Sequence, residues 1–319
     1  MAMYNGNHAM RRHVLKSAAT IGALTGIAGC TGSSQEFLTI GTGGTGGVYY
    51  PLGGGIADIL NQELDINATA ESTGASAENS RLVGNKKMKM ALALGNTVQL
   101  AANGEGQFDN ALPLKSAFGA YINHTQVVVP ENSDIETLSD LEGLNVSVGA
   151  PGSGTEMIAK ELLDWYGLSY DDINVDRLSF SETSGALQDN NIDAGFWSVA
   201  YPASSIEELA SQRDVRLLDF PEEDLEEITG ELPYYSVAKI PAGTYPGQDE
   251  EISNPGVTNT MIVHEDMDEK LLSDVVEAIF TNLDELEEVH QVAKQFKETV
   301  YDGPVELHPG AKDYFDNNL

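Results

Sequence analysis

Cysteine is nearly missing from this chain: Cys30 is the single one among 319 residues. That excludes a disulfide framework, a thiolate zinc site and a thiol nucleophile in the body of the protein. Basic residues are scarce as well, with 17 Lys and Arg against 50 Asp and Glu and a formal net charge of −33. A field of that sign repels nucleic acid and anionic lipid, so neither is expected as a partner surface. Long apolar runs are lacking: no stretch reaches the roughly 18 residues that a membrane-spanning helix needs. Local catalytic signatures are absent too, since no H-E-x-x-H, G-x-S-x-G, C-x-x-C or Walker-type Gly-Lys-Ser/Thr occurs. His124, His264, His290 and His308 are scattered, so no metal or cofactor and no enzymatic activity is expected. A spatial Ser-His-Asp arrangement stays open, because such triads obey no fixed spacing.

The first thirty residues read as an export signal. Arg11-Arg12-His13-Val14-Leu15-Lys16 is a twin-arginine pattern, Ser17–Ala28 a short apolar region, and Ile27-Ala28-Gly29-Cys30 a lipobox. The expectation is export in the folded state and attachment through lipidated Cys30 to the outer face of the cell membrane, with 31–36 as tether. Removing three bases and no acid leaves 14 bases against 50 acids, a net charge near −36. The acids are dispersed rather than blocked and no calcium-loop pattern appears, which points to an extremely halophilic source. About 290 residues at 41% apolar content suit two lobes with real cores.

What the chain has in abundance is glycine at strand ends. Phe37–Ile40 reads as a buried strand, followed by Gly41-Thr42-Gly43-Gly44-Thr45-Gly46-Gly47 and a helix from Val48 to about Leu64. Small-polar turns then follow strand Ile66–Glu71 at Thr73, Gly74, Ala75 and Ser76, and strand Met88–Leu94 at Asn96 and Thr97. A further glycine turn, Gly152-Ser153-Gly154-Thr155, follows strand Asn145–Gly149. Repeated strand–turn–helix units predict a parallel α/β sheet with ligands at the strand C-termini. Helix N-termini expose unpaired N–H groups and partial positive charge, so the expected guest is an anion. The candidate binding residues are Thr45, Gly46, Gly47, Tyr49, Tyr50, Thr73, Gly74, Ala75, Ser76, Asn96, Thr97, Ser153, Gly154 and Thr155, with Trp197 and Tyr201 as covering rings. Gly41–Gly46 also fits G-x-G-x-x-G with Glu71 placed as a ribose acid, so an exported dinucleotide-dependent oxidoreductase is the alternative. A purely structural tight turn is the bland reading, and a structural surface lipoprotein a third class.

Further along, Lys115–Ile122 and Thr125–Val129 read as two strands with Asn123-His124 as a crossing point between lobes. Strands are expected at 173–180, 192–197, 215–220, 233–240 and 258–263, and helices at 182–190, 204–212, 270–282, 286–296 and 309–315. Pro241–Gly247 is read as the second hinge, which puts residues 37–125 and 245–319 in lobe 1 and 126–244 in lobe 2.

Six blocks in order, GTGGTGGVYYPLGGGIA, STGASAEN, VSVGAPGSGTE, IDAGFW, IPAGTYPGQDE and HPGAKDYF, resemble the TAXI family of TRAP-transporter solute receptors. The resemblance runs from Phe37 to the C-terminus. It implies a two-lobed, periplasmic-binding-protein-like fold of type II, a small organic anion such as glutamate or a dicarboxylate as ligand, and a separate membrane permease as partner. A monomer is expected.

Overall fold

The computed structural model describes residues 36–232 and 234–319. The twin-arginine leader, Cys30, the tether up to residue 35, and Pro233 lie outside the described residues.

The chain opens with β1 (Glu36–Gly41), α1 (Tyr49–Glu63), β2 (Ile66–Glu71), α2 (Ser76–Gly84), β3 (Met90–Leu94) and α3 (Gly95–Asn103). It continues through β4 (Leu114–Pro130), β5 (Asn145–Ser147), α4 (Gly154–Trp165), β6 (Asn174–Asp176), α5 (Phe180–Gln188), β7 (Ala194–Val199), α6 (Ser204–Gln212) and β8 (Val215–Leu217). Then come α7 (Glu222–Glu231), β9 (Tyr235–Ile240), β10 (Ile252–His264), α8 (Glu269–Thr281), α9 (Leu283–Val289), α10 (Phe296–Thr299) and α11 (Pro309–Asn318).

The strands run in the order β2-β1-β3-β10-β4-β7-β5-β6, with β8 added to β4 and β9 to β10. β1 pairs parallel with β2 and β3, and β5 pairs parallel with β6 and β7. These are two βαβ-wound halves, and two long antiparallel strands join them. β4 meets β10 through residues 114–124 and turns to β7 through 124–128. β10 pairs with β9 through 252–257 and with β3 through 259–263. The result is the expected two-lobed α/β architecture.

Core placement follows the apolar pattern. In α8 the buried Leu272, Val275, Val276 and Ile279 recur at helical spacing, and the Asp268 carboxylate caps the Leu271 N–H. One cluster gathers Leu38, Ile40, Leu52, Ile56 and Phe118 under α1 and α8, and another gathers Val127, Val146, Ile158, Leu162 and Phe196 under α4.

Several expectations are corrected. Lys115–Ile122 and Thr125–Val129 are one strand, because Asn123 spends its polarity internally: its amide donates to the Ser198 carbonyl and its oxygen accepts from Asn259. Pro241–Gly247 lies in the loop of the β9–β10 hairpin. The strand expected to run to Phe180 stops at Asp176, since Ser179 caps α5. The helix expected over 286–296 breaks at His290, whose backbone is extended (φ −157°) and whose Nδ1 accepts the Val292 N–H. α7 was not foreseen, although three acids in its first turn after Pro221 are a helix-start signal.

Candidate functional site

A cleft of about 650 Å³, counting its open mouth, lies where the C-terminal ends of the parallel strands of both halves face each other. Its lining contains the residues that begin five helices: Val48 before α1, Ala75 before α2, Leu94 before α3, Ser153 before α4 and Ser179 before α5. Among the described residues, the N–H groups of Ser76, Gly154, Thr155 and Phe180 meet no acceptor within the protein. Converging helix starts of this kind present positive potential without any cationic side chain. Among the described residues, no charged one lines the cleft.

The expected residues divide by where the backbone carries them. Gly47, Tyr49, Thr73, Gly74, Ala75, Ser76, Ser153, Gly154 and Thr155 all line the cleft. Thr45, Gly46, Tyr50, Asn96, Thr97, Trp197 and Tyr201 do not. Thr45 and Tyr50 point to solvent at the loop tip and on the outer side of α1. Gly46 is covered by the other lobe, its carbonyl accepting from Ser205 Oγ at 3.0 Å. Thr97 is turned inward, its N–H bonded to Asn96 Oδ1 at 2.7 Å and its hydroxyl against Met157 Sδ. Trp197 is fully buried, stacked on Phe180 with centroids 6.1 Å apart and donating Nε1–H to Ser205 Oγ, so it supports the wall rather than forming it. Tyr201 packs edge-on against His124 at 4.7 Å.

Sequence reading missed Asn123, Ser179, Phe180 and Ser198 as lining residues. Ser179-Phe-Ser-Glu182 is a capping box, with the Ser179 hydroxyl and N–H both bonded to Glu182, and it was legible as S-x-x-E. Those bonds hold the Glu182 carboxyl below its usual range. Ser198 follows Trp197 on β7, and strand alternation sends it to the opposite face.

Three hydroxyls in the lining each accept a backbone N–H, and a fourth stands apart from them. Ser76 Oγ accepts the Leu94 N–H at 3.1 Å, Ser153 Oγ accepts Glu156 N–H at 3.1 Å, and Thr155 Oγ1 accepts Ser198 N–H at 3.3 Å. Ser198 Oγ is buried with no partner at all. Beneath them Tyr49 donates its hydroxyl to Asn259 Oδ1, and Asn259 Nδ2 reaches Asn123 Oδ1 at 2.7 Å, tying α1, β10, β4 and β7 together. Burial keeps the Tyr49 phenol well above its ordinary range, so it remains a donor. Ala75 sits at φ +68°, a strained backbone for a non-glycine residue that aims its turn into the cleft.

Glu71, the acid needed by a dinucleotide site, is exposed and outside the lining. Among the described residues no cluster of His, Cys, Asp and Glu could hold a metal ion, and no helix is long and apolar enough to cross a membrane.

Among solved structures, a protein of Bordetella bronchiseptica RB50 matches with a TM-score of 0.53 at 16% identity, over 89% of this chain and 90% of that one. The periplasmic aliphatic sulphonate binding protein of Escherichia coli matches at 0.49 and 16% identity, over 90% and 80%. The alkanesulfonate-binding protein of Xanthomonas axonopodis pv. citri, bound to MOPS, matches at 0.47 and 14%, over 89% and 84%. What is shared with the Bordetella bronchiseptica protein at that identity is the fold alone. The NMT1-like family matches residues 40–318, which is nearly the whole chain, and the protein belongs to that family.

Proposed function

We propose that this protein is the extracytoplasmic solute receptor of a TRAP-type secondary transporter, of the TAXI kind its sequence blocks resemble. It binds a small organic anion, a carboxylate, between its lobes and delivers it to a membrane permease without chemical change. The observation that carries this is the gathering of five helix starts around one cleft free of charged side chains. The lobes exchange chain at residues 123–126 on β4 and 256–258 on β10, so lobe 1 comprises 36–122 and 259–319 and lobe 2 the remainder. Anchoring through lipidated Cys30 holds the monomeric receptor beside its permease. The dinucleotide alternative finds less support, with Glu71 exposed and the glycine-loop tip at Gly46 covered by Ser205.

Titration calorimetry with glutamate, succinate and short monocarboxylates tests the reading. Saturable binding of carboxylates is expected. Binding of neutral or cationic solutes alone would overturn it.

A further inference from the structure

The cleft also speaks to which anion it takes. Ser76, Ser153 and Thr155 each accept a backbone N–H, which leaves each hydroxyl its O–H donor and a single lone pair to offer a guest. Ser198 Oγ adds a fourth hydroxyl, buried, unpartnered and in the lining. Together with the free N–H groups of α2, α4 and α5, which can only donate, they make a surface in which donors outnumber acceptors, and this suits a head group composed of acceptors. Val48, Leu94, Phe180 and Val199 supply the apolar part of the same lining.

Two further features limit the charge of the guest. Among the described residues no carboxylate lines the cleft, so an α-ammonium would be desolvated there without a counter-charge. Glu78, Glu156 and Glu182, each in the first turn of its helix, reach back to the N–H groups of Gly74, Gly152 and Ser179. They take up part of the positive potential of α2, α4 and α5, and no base stands in the lining to hold a second negative charge.

We infer that the ligand is a small monoanion with a short apolar tail and no ammonium group, its head held by the hydroxyls of Ser76, Ser153, Thr155 and Ser198. This rests on the proposed receptor function and narrows it away from amino acids and dicarboxylates.

The test is calorimetry on the folded chain with isovalerate, ethanesulfonate, glutamate, succinate and the neutral isovaleramide, repeated with Ser198→Ala. Expected is binding of isovalerate or ethanesulfonate at least about tenfold tighter than glutamate, succinate or the amide, the stronger of the two identifying a carboxylate or a sulfonate head. Ser198→Ala should weaken that monoanion about tenfold while leaving the melting temperature of the ligand-free protein unchanged or higher, since its Oγ bonds nothing in the fold. Glutamate or succinate binding as tightly as the monoanions would overturn this inference and leave the anion receptor standing. Binding of the amide with no anion bound would overturn the receptor's anion reading itself. An unchanged affinity in Ser198→Ala would overturn the placement of the head.

Discussion

Gly154 has no room for a methyl group: a Cβ there would stand 2.3 Å from Leu94 Cδ1 and 2.8 Å from Ser76 Oγ. Both neighbours belong to the facing lobe, so the glycine sets how closely the lobes approach rather than how α4 folds. Gly154→Ala is expected to lower ligand affinity at least tenfold with little loss of stability, because the lobes can part by an ångström; calorimetry paired with thermal melting checks both. His124 carries a different consequence. Burial lowers its pKa from 6.5 to about 4, so it is neutral in the fold while the unfolded chain takes up a proton first. The unfolded state therefore binds more protons between those two values, and stability falls as pH drops through that window but is unaffected above it. The loss should reach about 2 kcal/mol by pH 5. Urea unfolding at pH 7 and pH 5 should show it, and His124→Gln should shrink the difference; an equal difference in both proteins would assign it to other groups, among them His264 and His290, whose pKa values burial also lowers.

Between elements, legibility followed chemistry that is local in sequence. The strand–turn–helix units around Thr73–Ser76 and Gly152–Thr155 could be read because glycine and small hydroxyl residues mark a turn and a cap within a few positions. β4 could not be read whole, since Asn123 and His124 look like a loop until Ser198 and Asn259 are placed beside them, 75 and 136 positions away. Trp197 drew attention as the large ring of its strand, yet a fully buried indole bonded to Ser205 is structural, and its small neighbour Ser198 faces the cleft. The capping box of α5 was written in the sequence and passed over. Caps of this type have a testable weight: Asp268→Ala, which removes the acceptor of the Leu271 N–H at 2.8 Å, should cost about 1 kcal/mol with an unchanged denaturant slope. A loss under a few tenths would mean that packing of Leu272 and Val275 alone fixes the start of α8.

At the scale of the whole molecule two forces oppose each other, and both can be measured. Ion pairs such as Lys86–Asp266 and Lys239–Glu251 are exposed and contribute little, while 50 acids against 17 bases across the full chain repel one another. Screening shortens that repulsion from about 10 Å at 0.1 M salt to about 3 Å at 1 M, so unfolding midpoints should rise steeply with potassium chloride. Equal midpoints in dilute and molar salt would remove the halophilic reading. The same repulsion bears on closure, because both lobes are acidic and yet touch in this structure. Ala77 N–H donates to the Gly152 carbonyl across the cleft at 3.2 Å, and Trp197, Ser205 and Gly46 form a relay from the core of one lobe to the glycine loop of the other. Ser205 is its joint: the hydroxyl accepts from the indole and donates to the loop, and both bonds are buried. Ser205→Ala would leave the buried indole N–H unpaired in either form, but the Gly46 carbonyl unpaired in the closed form alone, at about 1–3 kcal/mol, because opening lets water reach that carbonyl. The variant should therefore favour the open form by tenfold or more, seen as a larger radius of gyration in small-angle scattering at low salt, and ligand or high salt should restore the compact profile. A scattering profile identical to that of the parent protein under all these conditions would mean that the lobes are held by packing at Gly154 and Phe180, with the relay contributing nothing to closure.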